Sequence, residues 1–193
     1  MNNFKNLTLA IVASLGMASA VNASEVSSNV SWSNAAVGVS HINTGNTDGA
    51  FVRGSTLASD NVFIFGDVGY DHNDNVDVGL LQARVGAGLR VTVASDMDLY
   101  GALYGSYGSV LYDFDTRIDD DWGYGVEGGV RTLAGGLEFK FGAGYERFNT
   151  WGNDSYVVVG AAYNVTDAVV VVVDVKHNLD SAYQATAGVR FGF

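Results

Sequence analysis

Thirteen ionisable side chains stand at alternate positions of apolar-rich stretches: Arg53, Asp67, Asp71, Arg84, Arg90, Glu127, Arg131, Glu138, Lys140, Glu146, Asp174, Lys176 and Arg190. Seven are cations and six are anions, so the set is close to neutral. Two kinds of chemistry suit such a face. Buried charges must be paired, so the set can form cross-strand ion pairs that fill an interior. Alternatively, it can line a narrow aqueous path whose charges select ions. A second group, Asp113, Asp115, Asp119, Asp120 and Asp121, offers carboxylate oxygens of the kind that hold Ca²⁺ or Mg²⁺. It lacks the glycine and terminal glutamate of a helix-loop-helix calcium loop, and a solvated acidic loop is the plainer expectation. A third group could supply a base: His41, His72 and His177, the last with Asp180 and Ser181 nearby. All three histidines share the apolar phase with Tyr70, Tyr107, Trp122, Tyr145 and Tyr183, where amphipathic rings suit a membrane interface.

The elements that must position these groups alternate with a period of two, which a β-strand presents to two environments. The clearest run sets Leu81, Ala83, Val85, Ala87, Leu89, Val91 and Val93 against Gln82, Arg84, Gly86, Gly88, Arg90 and Thr92. The last eleven residues repeat it, with Tyr183, Ala185, Ala187, Val189, Phe191 and Phe193 against Gln184, Thr186, Gly188, Arg190 and Gly192. Similar runs are expected at 35–42, 50–58, 62–70, 99–109, from Trp122 to Arg131, 137–146, 156–165 and 168–177. That makes ten strands, with eight as the alternative if neighbouring segments merge. The connections sort into short turns near 59–60, 94–98, 134–135 and 165–167 and longer segments at 43–49, 71–77, 110–121, 148–154 and 178–181. The many glycines on the charged phase are expected to leave local gaps.

The N-terminus reads as a secretory signal. Lys5 is a positive n-region, Leu7 to Met17 an apolar h-region and Val21-Asn22-Ala23 a small-residue cleavage site. Residues 1–23 are expected to be removed, leaving 24–193 as one domain. The h-region falls short of the roughly 20 residues of a transmembrane helix. The full chain has 25 glycines, no proline and no cysteine, with 16% charged and 48% hydrophobic residues. No disulfide or thiol chemistry is available. Without Lys5 the 10 basic residues become 9 against 21 acidic ones, a net charge of −12. So acidic a chain is not expected to bind nucleic acid through phosphates.

An exported chain of alternating strands that ends on an in-phase phenylalanine resembles the small Gram-negative outer-membrane β-barrels of the OmpA/OmpX kind. The resemblance covers the whole mature chain and matches no subfamily's loop motif. It implies an all-β, transmembrane, antiparallel up-and-down barrel with both termini in the periplasm. It also implies that the assembly machinery reads Phe193 on the closing strand. Partners are then outer-membrane lipid and lipopolysaccharide, and a monomer without a cofactor is expected. The leading reading is a non-enzymatic barrel with a filled interior that serves envelope integrity or surface contact. A porin-like, cation-favouring channel is the second. Some barrels of this kind modify lipid A, but the histidine-x-serine spacing of those deacylases is absent at His177, so an enzyme is the third.

Overall fold

The computed structural model describes residues 29–43, 47–112, 116–166, 168–179 and 182–192. The expected signal segment 1–23, Phe193, Asp113, Asp115, Asp180 and Ser181 lie outside them. Ten strands run in sequence order: β1 (Asn34–Ile42), β2 (Thr47–Ser59), β3 (Val62–Asn73), β4 (Val78–Ala94), β5 (Met97–Tyr112), β6 (Thr116–Ala134), β7 (Leu137–Phe148), β8 (Asn153–Asn164), β9 (Val169–Asn178) and β10 (Tyr183–Gly192). Each pairs antiparallel with its sequence neighbours, and β1 pairs with β10 to close the barrel. Closure removes the free edges that would otherwise leave backbone groups unsatisfied in lipid. Ten strands, not eight, is the count.

The alternation sorts the two faces. Val37, Val39, Val85, Leu89, Val91, Leu99, Leu103, Val126, Phe141, Val159 and Val173 are exposed on the outside. A water-facing sheet would bury such residues, whereas a bilayer covers them. Tyr107 and Trp122 stack on this outer face with ring centroids 4.8 Å apart, near the end of the barrel where the longer connections lie. We call that the loop end, and the other, holding the short turns, the turn end. At the turn end, Gly135 and Gly136 both take positive φ, 60° and 83°, as a two-residue hairpin turn requires.

The strands outrun their apolar cores. The stretch 110–121, expected as a loop, is largely a β5–β6 ladder that continues through Val110↔Asp119, Leu111↔Arg117 and Tyr112↔Thr116. On β6 the eleven residues from Trp122 to Thr132 already suffice to span a membrane, so 116–121 stand beyond it. There both faces meet water, and no apolar phase marks the strand in the sequence. For the same reason β2 begins at Thr47 and β3 runs on to Asn73, inside segments expected as loops.

Rings fill the space above six of the inward glycines, while Gly69 and Gly160 border cavities. Phe51 lies over Gly38, Phe63 over Gly88, Phe65 over Gly86, Tyr100 over Gly129, Tyr104 over Gly125 and Tyr156 over Gly144. Each of these rings is the direct cross-strand partner of its glycine. A flat ring covering a bare backbone on the neighbouring strand is the device that pins register in curved sheets. Tyr104 cannot swing away freely, because its hydroxyl is bonded to that of Tyr156 at 3.0 Å. Gly125→Val should therefore cost about 1–3 kcal/mol as an overpacked core, read as a lower urea midpoint of the refolded protein. Ala143→Val, on the lipid face of β7, should leave that midpoint unchanged.

Candidate functional site: the barrel interior

Inward phases on β2 to β10 bring the charged residues together as six groups. Arg53 pairs with Asp174, from β2 to β9. Arg84 pairs with Asp67 at 3.0 Å, and these two are register partners on β4 and β3. Lys140 meets Glu127 at 2.8 Å. Lys176 lies 3.6 Å from Glu146, with its ammonium 4.2 Å from the Tyr156 ring centre. Glu138 holds two guanidinium groups, accepting from Arg131 Nε at 3.0 Å and from Arg190 Nη2 at 2.6 Å. Arg90 bonds Asp98 at 3.2 Å and the Asp60 carbonyl at 2.9 Å. Asp71 has a bond from the Ser40 hydroxyl, 2.5 Å long. All thirteen side chains singled out in the sequence are thus placed, and all face inward.

Several interior partners fall outside those thirteen. Asp98 falls in the turn expected at 94–98, yet it is the second residue of β5 and wholly buried against Arg90. The turn itself is Ser95 and Asp96, and an acid so close to a turn signal looks like part of that turn. The tyrosines were also missed: Glu127 accepts from Tyr100 at 2.8 Å and from Tyr156 at 3.0 Å. Their even spacing on β5 and β8 was the available signal, but an ambiguous phase on β5 hid it.

The turn end is plugged by the segment before β1. Trp32 is 3% exposed and packs on Phe63, with centroids 4.4 Å apart. Its indole N–H donates to Asp98 at 2.7 Å, and the Arg131 guanidinium lies 4.3 Å from the ring centre. Arg131 also donates to the Ser31 carbonyl at 2.7 Å, and Asn29 N–H to the Ser95 carbonyl at 3.0 Å. Val30 and Leu57 complete this apolar cluster.

Two cavities lie in the interior formed by the described residues. One of about 190 Å³ lies toward the turn end, bounded by Trp32, Tyr100, Glu127 and Lys140 among others. The other, about 90 Å³, lies toward the loop end, bounded by Ser40, Asp71, Ser106 and Thr186 among others. Both share Arg53, Asp67 and Arg84 in their walls. The Arg53–Asp174 and Arg84–Asp67 pairs therefore form a waist.

The loop end is tied by the acidic residues considered for a metal. Asp121 accepts from the amides of Thr150 at 2.6 Å, Trp151 at 2.9 Å and Trp122 at 2.8 Å. Asp119 accepts from the Trp151 indole at 2.8 Å, and Asp120 is 3.4 Å from Arg117. Among the described residues no group of three acids or histidines gathers as a metal site would need. Desolvation acts to raise the Asp121 carboxyl, but the Thr150, Trp151 and Trp122 bonds outweigh it and hold the group down to about 2, against an ordinary 3.8. A depressed carboxyl stabilises the folded loop above the unfolded value and loses that contribution as pH falls through the folded one. The protection of amides 149–152 relative to their intrinsic exchange rate should therefore be high at pH 5 and fall between pH 4 and 2, and in Asp121→Asn it should already be low at pH 5.

The histidines stay apart. His41 bonds Asp48 at 2.7 Å, His72 stacks on Tyr70, and His177 is exposed on the outer face opposite Tyr183.

No protein-family model matches the chain, and no curated protein matches it. Solved structures do. NanC porin superposes with a TM-score of 0.51 at 8% identity, covering 83% of this chain and 100% of that one. KdgM porin gives 0.47 at 11% identity, covering 82% and 99%. Neisserial surface protein A gives 0.45 at 18% identity, covering 83% and 96%. At such identities the likeness concerns the fold. What they share with this chain is a closed antiparallel up-and-down β-barrel, here built of ten strands with an apolar outer belt.

Proposed function

We propose that this is a non-enzymatic outer-membrane protein whose barrel is closed by a charge-paired interior, serving envelope integrity or surface contact. The observation that carries the reading is the engagement of all seven interior cations by carboxylates, together with the Trp32 plug. Ions cannot thread such an interior without breaking pairs held at low dielectric. The secretory-type segment before residue 24 supports export, and on this reading the turn end faces the periplasm and the loops face outside. Lipid and lipopolysaccharide are then its direct partners.

The shared walls of the two cavities favour a second reading, a narrow cation-favouring channel opened at the waist and fed through the acidic loops. Conductance separates the two. Refolded protein in planar bilayers should be silent between ±100 mV, a range chosen to be on the order of a membrane potential. Steady cation-selective steps would replace the first reading by the second, with Arg53 and Asp174 as the gate to mutate. On the first reading, cells lacking the protein should become more sensitive to detergents and large antibiotics. Wild-type resistance in those cells would remove the integrity role.

A further inference from the structure

The loop-end chamber contains a negative charge that the ion-pair network does not answer. Asp71 is 1% exposed. The seven interior cations are engaged by Asp174, Asp67, Asp98, Glu138, Glu127 and Glu146, and among the described residues none lies within ion-pair distance of Asp71. Its place follows from register: Thr186, Ser40, Gly49 and Asp71 form one row across β10, β1, β2 and β3. Because Gly49 has no side chain, the carboxylate lies across it and reaches the Ser40 hydroxyl. A buried carboxylate with one neutral hydrogen bond is costly unless a proton or a positive charge joins it.

The chamber has other groups waiting for a partner. Ser106 Oγ and Thr186 Oγ1 are buried with no hydrogen-bond partner. Both line the same space as Asp71, and Ser106 is 3% exposed. Gln82 and Gln184 add amide oxygens to the wall. Lys176 also borders it but is drawn to Glu146 and the Tyr156 ring.

We infer that this chamber binds a single alkali-metal cation, Na⁺ or K⁺, held by Asp71 and completed by the hydroxyl and amide oxygens of Ser40, Ser106, Thr186, Gln82 and Gln184. The donors are all oxygen, which suits hard cations and not zinc or copper. One uncompensated carboxylate matches one positive charge, where a divalent ion would leave an excess. About 90 Å³ admits an ion with one or two waters, each taking roughly 30 Å³, and excludes an organic cation such as choline. The site does not depend on whether the barrel conducts: a closed interior can hold the ion as a fixed part of its core.

Wild-type protein and Asp71→Asn, refolded in detergent, are unfolded with urea while NaCl or KCl replaces choline chloride at constant ionic strength. The wild type should gain stability with the alkali ion, because a ligand bound only to the folded state adds stability that grows with the logarithm of its concentration above Kd. Asp71→Asn should need an alkali-ion concentration higher by roughly 30-fold or more for the same gain, since it removes the one charged ligand. Equal wild-type midpoints in all three salts would overturn the inference. An undiminished alkali gain in Asp71→Asn would do the same, because the effect would then belong to the loops. Should Asp71→Asn not refold, Ser106→Ala with Thr186→Val takes its place, and an unchanged gain there overturns it too. Tl⁺ soaked into crystals should give an anomalous peak beside Asp71; no peak there counts against the site.

Discussion

Replacing Glu138 by glutamine should cost about 3–5 kcal/mol, the loss expected when one partner is removed from a buried ion pair. Glu138 is 7% exposed and is the shared acceptor of two guanidinium groups, Arg131 and Arg190. Without its charge, two cations face each other in a low-dielectric interior. The damage should spread beyond the pair, because Arg131 also holds the Ser31 carbonyl and covers the Trp32 ring. Urea midpoints, with Trp32 fluorescence as a second probe, should show both losses. Arg190→Met should cost much less, since Arg131 still neutralises the carboxylate. Equal costs for the two would mean that Glu138 is not the centre of this cluster.

Val85→Arg should block assembly, while Arg84→Leu should fold into a loosened barrel. The two positions are adjacent on β4 but face opposite ways. Val85 is 60% exposed among the apolar residues of the outer belt, where an arginine costs about 2–4 kcal/mol near the bilayer midplane. Arg84 points inward onto Asp67, and its loss leaves a carboxylate that is still about one-fifth exposed and bordered by both cavities. Heat-modifiable migration on gels, which follows barrel closure, should be lost in the first variant and kept in the second. Identical behaviour would overturn the assignment of faces.

Ten strands, their order and their two faces were legible because lipid enforces a period of two across every span. Where that enforcement ends, legibility ended. Thr116 to Asp121 read as loop although they are strand, since water on both faces demands no apolar phase. The thirteen interior charges were legible for the same reason as the strands. Their partners were not all so: Asp98 lay next to a turn signal, and Trp32 precedes the first regular strand. The roles of Gly86 and Gly125 were also hidden. Alternation says which face a residue takes, while the ring that fills the space above a glycine is set by register between strands, which a single strand's pattern does not carry.

The plug also has an order in time. Residues 29–33 leave the ribosome before any strand of the barrel, yet their seat is built from residues made much later. Trp32 bonds Asp98, 66 positions away, and Ser31 is held by Arg131, 100 positions away. No pairing between neighbouring strands can supply that seat. It exists only after β4, β5 and β6 are aligned and the wall has curved enough to bring Arg131 and Glu138 over the turn end. A segment made before every strand is thus among the last to settle, and its docking reports that the strands forming its seat have been correctly aligned.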